Sequence, residues 1–210
     1  MAAVPILGGT AAELWAGAIA PVILKKQVSW FNGLAERVHE LGEQLEIWAP
    51  ENLAENEAFG AAVLTALEAV RRTSDDEKIT ALRNAVLNTV AMVELRDFER
   101  TTFMQYVADL EPIHLQVLKY AIDPREWFAS RGRTDEIEDD LYMGGPTVYF
   151  DRAFPDLPAG DIRESVLREL IARGLSGHLS NTTMTGEGAR QPWGTDFGRR
   201  FAQFVEEPER

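Results

Sequence analysis

Three histidines supply the chain's groups that ordinarily titrate near neutrality, and their positions argue against a shared site. His39, His114 and His178 lie far apart with no paired metal-ligand spacing. The densest polar cluster is Glu36, His39, Glu40 and Glu43, which share one helix face and would hold a hard or borderline cation if a second helix added ligands. A solvated helix face is the plainer reading, and no metal is expected. His114, one turn after Glu111 and beside Pro112, suits a capping or inter-helix hydrogen bond better than catalysis. Arg83, Asn84 and Asn88 sit among apolar Leu82, Val86 and Leu87. They read as a polar contact site or, preferably, as amides bonded to a neighbouring helix or loop, since buried polar groups must find partners. The carboxylates from Asp135 to Asp140 lack the alternating ligands and central glycine of a calcium loop. No phosphate-binding GxxxxGK[ST], nucleophile elbow GxSxG or dinucleotide GxGxxG occurs, and GEGAR at Gly186 is a turn signal. With no cysteine there is no thiol nucleophile. The chain is expected not to be an enzyme and to need no cofactor.

The arginines of the last fifty residues carry the other candidate chemistry. DIRESVLRELIAR from Asp161 to Arg173 places Ile162, Val166, Leu170 and Ile171 on one helix face, and Gly174 ends it. HLSNTTMT and GEGARQPWG follow, then TDFGRRFAQFV with Phe197, Phe201 and Phe204 at helical spacing. Helix, short hairpin and closing helix is the order of a winged-helix module, expected over residues 161–210. As a DNA reader it would present Arg163, Arg168 and Arg173 to the major groove, Arg190 in the wing, and Arg199 and Arg200 to phosphates. Asp161, Glu164 and Glu169 on the same helix repel phosphate, and a basic stripe is missing. The i, i+4 pairs Glu164–Arg168 and Glu169–Arg173 fit a protein-interaction module better.

At the other end, residues 7–24 are apolar apart from Thr10 and Glu13 and run into Lys25 and Lys26. Gly8, Ala12, Ala16 and Ala20 recur every fourth position, the spacing that lets two helix backbones approach. The stretch is marginally long for a bilayer, and Glu13 would cost roughly 2.5–3.5 kcal/mol on insertion scales. A buried or self-associating helix is preferred to membrane insertion. From Gln27 to Trp48, Val28, Phe31, Ala35, Val38, Gly42 and Leu45 alternate steps of three and four, a coiled-coil-like seam flanked by Leu34, Leu41 and Trp48. The expected self-association residues are Gly8, Ala12, Ala16, Ala20, Val28, Phe31, Val38 and Leu45.

Between the two ends the pattern is helical. One helix is expected from about Glu55 to Arg72, and another from a Ser74-x-x-Glu77 capping box to about Met92. A third is marked by Leu95 to Leu110, and Pro112 and Pro124 each open a further helix. RGRTDEIEDDLYMGGPT reads as an exposed acidic connection, and VYFDRAF as a short strand. The expected organisation is residues 1–50 as the two N-terminal helices, 51–130 as a helical domain, 131–160 as a linker and 161–210 as the winged-helix-like module. The fold class is mainly α with a small α+β C-terminal part.

A content of 45% hydrophobic residues over 210 residues builds a core without staples. The net charge of −13 opposes non-specific attraction to nucleic acid and anionic lipid. Seven arginines face eight carboxylates after residue 160, so the preceding residues carry almost all of that charge. The absence of cysteine favours the cytoplasm, with residues 7–24 offering membrane association.

Glu77-Lys78 with Ala81-Leu82-Arg83-Asn84-Ala85-Val86-Leu87-Asn88, then Leu110-x-Pro112-x-His114-Leu115, then Thr195-x-x-Gly198-Arg199-Arg200-Phe201 resemble a poorly characterised bacterial family. The resemblance covers roughly residues 57–205. It implies a mostly helical protein with a winged-helix-like C-terminal segment, in a bacterial or phage-related setting, and brings no catalytic residues. The expected function is a non-enzymatic adaptor or regulator acting through protein contacts, with the chain itself as partner in a homo-oligomer. A winged-helix DNA-binding regulator is the alternative, and a membrane-associated defence or toxin-like effector is the third.

Overall fold

A computed structural model of the chain describes residues 9–43, 45–138, 143–180 and 182–208. The chain is mainly helical and forms two compact units, Met1–Ala108 with Pro208–Arg210, and Asp109–Glu207.

The first unit opens with α1 (Gly9–Gly42). The change of character at Lys25 and Lys26 predicts two helices, yet the chain forms one, running through Pro21. Proline there removes one backbone donor, and the turns on either side hold the ladder. No helix among the described residues is long and apolar enough to cross a membrane. A 3₁₀ turn (Glu46–Trp48) and α2 (Pro50–Ala54) lead to α3 (Glu57–Val70), where the Asn56 side chain accepts the Phe59 amide at 3.0 Å. Helix α4 (Asp76–Ala91) starts one residue later than the predicted capping box. Asp75 is the cap, accepting the Lys78 amide at 2.9 Å, while Thr73 Oγ1 accepts the Asp75 amide at 3.1 Å. Helix α5 (Asp97–Asp109) completes the unit. Its core joins Ala62, Ala66 and Val70 of α3, Leu82, Val86 and Leu87 of α4, and Phe103 and Val107 of α5. Small alanines on α3 let α4 pack closely against it.

In the second unit α6 (Pro112–Ile122) and α7 (Pro124–Ala129) each have proline in the first turn. Tyr120 of α6 meets Trp127, Phe128, Phe150 and Phe154 edge-on, with ring centroids 5.6–6.3 Å apart. The strand expected at VYFDRAF is instead α8 (Pro146–Ala153). Pro146 opens it, and Tyr149, Phe150 and Ala153 bury one helical side, an i, i+1, i+4 pattern that a strand would split between faces.

The winged helix is not formed among the described residues. Helices α9 (Asp161–Ala172) and α11 (Asp196–Val205) exist, but no wing hairpin joins them. The two-residue strand β2 (Met184–Thr185) pairs with β1 (Met143–Gly144), and a single bridge links Ser176 to Gly194. Thr185 then caps the short α10 (Gly186–Ala189), its hydroxyl accepting the Gly188 amide at 3.2 Å, so the chain turns into helix where a second wing strand would start. Both α9 and α11 pack on α6. On α9 the buried stripe is Val166 and Leu170, while Ile162 is exposed. On α11 Phe201 and Phe204 are fully buried and Phe197 is half-buried.

Candidate functional site

The strongest candidate surface is one side of α1. An α-helix of this length has room for two apolar stripes, and α1 carries both. Trp30, Leu34 and Leu41 recur at steps of four and seven and are buried. That stripe is anchored on α4 and the loop before it: the Trp30 indole donates to the Ile79 carbonyl at 3.3 Å, and Lys26 Nζ donates to the Thr73 carbonyl. About a quarter turn around the helix lies the heptad seam. Leu24 is 61% exposed, Val28 and Phe31 49% each, and Leu45 just past the helix 54%; Ala20, Ala35 and Gly42 are exposed and Val38 is half-buried. Other exposed apolar side chains stand singly: Val22 on a different side of α1, Ile47 in the 3₁₀ turn, and Leu64, Val93, Phe98 and Ile162 on other helices or connections. Such scattered residues are ordinary, whereas an aligned row is a mark of an interface.

Of the expected self-association residues, Val28, Phe31 and the half-buried Val38 therefore share one side of α1, with Ala20 near its start, while Leu45 is exposed just past the helix end. Gly8 lies outside the described residues, and Ala12 and Ala16 lie in the part of α1 whose side chains are outside the description. The flanking Leu34 and Leu41, and Trp48 with them, turn inward and build the core.

The expected DNA contacts are dispersed. Arg163 is buried, donating to the Leu157 carbonyl at 3.0 Å and to Asp151. Arg173 is bound to Glu169 at 2.9 Å and to Asp109 at 3.5 Å, and Arg190 donates to the Ile137 carbonyl. Arg168 is exposed beside Glu164 at 3.9 Å, Arg199 pairs with Asp196 at 3.2 Å, and Arg200 lies over the Phe197 ring. Three of the six are thus occupied with intraunit bonds, and the rest stand beside carboxylates or an aromatic ring.

His114 has a structural setting. The Glu111 amide donates to its Nδ1 at 3.2 Å, so the neutral ring carries its proton on Nε2, 3.2 Å from Glu169. Burial pushes its pKa below the ordinary value, against the pull of Glu169 and Glu111. Glu40 is taken by Arg37 at 2.7 Å, and His39 lies 3.9 Å from Glu43. Among the described residues no group of three or more His, Asp or Glu side chains is placed to hold a metal ion. Asn88 is buried in α4 and Asn84 is half-buried. Sequence reasoning missed a groove of about 510 Å³ on the second unit, lined by Lys119, Ile122, Trp127, Arg131, Arg199 and Glu206. Its charges are of both signs, and the guanidinium of Arg131 stacks 3.9 Å from the Trp127 ring. Comparison with protein-family models, curated proteins and solved structures gives no match, so the reading of these surfaces rests on their own geometry.

Proposed function

We propose that this chain is a non-enzymatic adaptor or regulator that acts through protein contacts and self-associates through α1. The observation that carries this reading is the exposed row Leu24, Val28 and Phe31, separate from the stripe that Trp30, Leu34 and Leu41 bury at home. Burying apolar surface gains roughly 25 cal/mol per Å², so a row left in water stabilises any arrangement that covers it. The internal use of Arg163, Arg173 and Arg190 favours a protein partner over nucleic acid, because phosphate binding needs cations free to displace counterions.

Solution mass measured over a range of concentrations tests the reading. The parent protein is expected to shift from monomer to dimer as concentration rises. Phe31→Glu, at a half-exposed position, is expected to stay monomeric, with the melting temperature that the parent shows at concentrations where it too is monomeric. A parent that remains monomeric throughout, or a Phe31→Glu variant that assembles as the parent does, removes the support for self-association through α1.

A further inference from the structure

Within α1 the seam after Ala20 reads Leu24, Val28, Phe31, Ala35, Val38, Gly42, and each residue before Gly33 is at least as large as the one equally far after it. Two such helices facing each other in parallel would stack like on like. Phe31 would meet Phe31 and Gly42 would meet Gly42, giving an overfilled layer and an empty one. Reversing one helix pairs Leu24 with Gly42, Val28 with Val38 and Phe31 with Ala35, each layer occurring twice. The Val–Val and Phe–Ala layers then hold nearly equal volume, and the Leu–Gly layer is only modestly smaller. Close-packed interfaces require this kind of large-against-small complementarity.

Charge along the polar flank of the seam is ordered in the same sense. Lys25 stands near the start, and Glu36 and Glu43 stand toward the end, while Glu40 lies on the far side of the helix and is paired with Arg37. At 1.5 Å rise per residue, the reversed pairing brings Lys25 to within about 3 Å, along the axis, of the level of Glu43 on the other helix. A parallel pairing would instead gather both lysines at one end of the pair and the glutamates of both helices at the other, with no such meeting of opposite charges.

We infer that α1 pairs antiparallel with α1 of a second copy of this chain, about a two-fold axis at the level of Gly33. The interface is isologous, each copy giving the same seam. This inference rests on the self-association proposed above and adds its partner, orientation and register. The seam spans only about 27 Å from Leu24 to Gly42, and the dimer it forms depends on protein concentration.

The absence of native cysteine makes disulfide trapping a clean test. Leu24→Cys changes an exposed side chain, and a Cβ at Gly42 would meet only ordinary contacts, the nearest being the Trp48 carbonyl at 3.6 Å. The two positions are about 27 Å apart on one helix, far beyond disulfide reach within a single chain. The full-length double variant Leu24→Cys/Gly42→Cys is expected to form a covalent dimer under mild oxidation, and neither single variant should. Covalent dimers from each single variant would show a parallel pair, overturning the orientation while leaving self-association intact. A parent that is dimeric in solution, with no covalent dimer from any variant, would place the interface elsewhere and overturn the inference. A parent that is monomeric at every concentration would overturn both this inference and the reading beneath it.

Discussion

At the scale of single residues, the structure gives His114 a role that can be measured without knowing a ligand. Its ring is held between the Glu111 amide and Glu169, with Arg173 close by, and burial lowers its pKa from the ordinary value near 6.5. The unfolded chain therefore binds the proton more readily than the folded one. Stability is full above the unfolded pKa and is lost as pH falls through and below it. Urea midpoints between about pH 7.5 and about pH 5.5 should thus decrease toward acid, and the slope should flatten in His114→Gln. A slope that persists unchanged in the variant would assign the pH dependence to another group.

At the scale of elements, Gly198 shows what decides how α11 is seated. The Thr195 hydroxyl accepts the Gly198 amide at 2.9 Å and donates to the Gly174 carbonyl at 2.7 Å, while the Thr195 amide donates to the Leu175 carbonyl at 3.1 Å. A Cβ at Gly198 would lie 1.9 Å from the Leu175 carbonyl oxygen, so the helix start must move to accept one. Gly60 in α3 has nothing within 4 Å of its hypothetical Cβ. The same chemical change should therefore act in opposite directions. Gly198→Ala is expected to destabilise by at least about 1–3 kcal/mol through overpacking. Gly60→Ala should stabilise by roughly 0.5–1 kcal/mol through helix propensity. Chemical denaturation reads both, and a neutral Gly198→Ala would remove the account of the Thr195–Gly198 segment. This pair also shows how far the sequence can be read. The phenylalanine spacing of α11 and the prolines opening α6 and α7 were legible because they are local. That Gly198 faces Leu175 was not, since it depends on a tertiary approach. VYFDRAF reads as a strand by residue type, yet the burial of Tyr149, Phe150 and Ala153 on one side makes it a helix. The two stripes of α1 were both visible as apolar periodicity, but only packing separates the inward Leu34 and Leu41 from the outward Val28 and Phe31.

At the scale of the whole molecule, charge competes with the α1 seam. Each chain carries −13, and two chains that meet bring like charge together. The Debye length is about 30 Å at 0.01 M salt and about 8 Å at 0.15 M, so at low salt most of the charge on one chain acts on the other, and at physiological salt only the charge near the interface does. Opposing this are two symmetry-related meetings of Lys25 with the acidic end of the other helix. These are exposed pairs, worth roughly 0.2–1 kcal/mol each, and they too are screened. Many repelling charges outweigh two attractive pairs, and burial of Leu24, Val28 and Phe31 is little affected by moderate salt. Raising sodium chloride from about 0.01 M to about 0.15 M should therefore strengthen the dimer, the opposite of the salt response of a phosphate-binding protein. Sedimentation equilibrium at the two salt concentrations measures the change. Association that weakens with added salt would mean that local ion pairing, and not the apolar seam, holds the copies together, and Lys25→Glu would then abolish it.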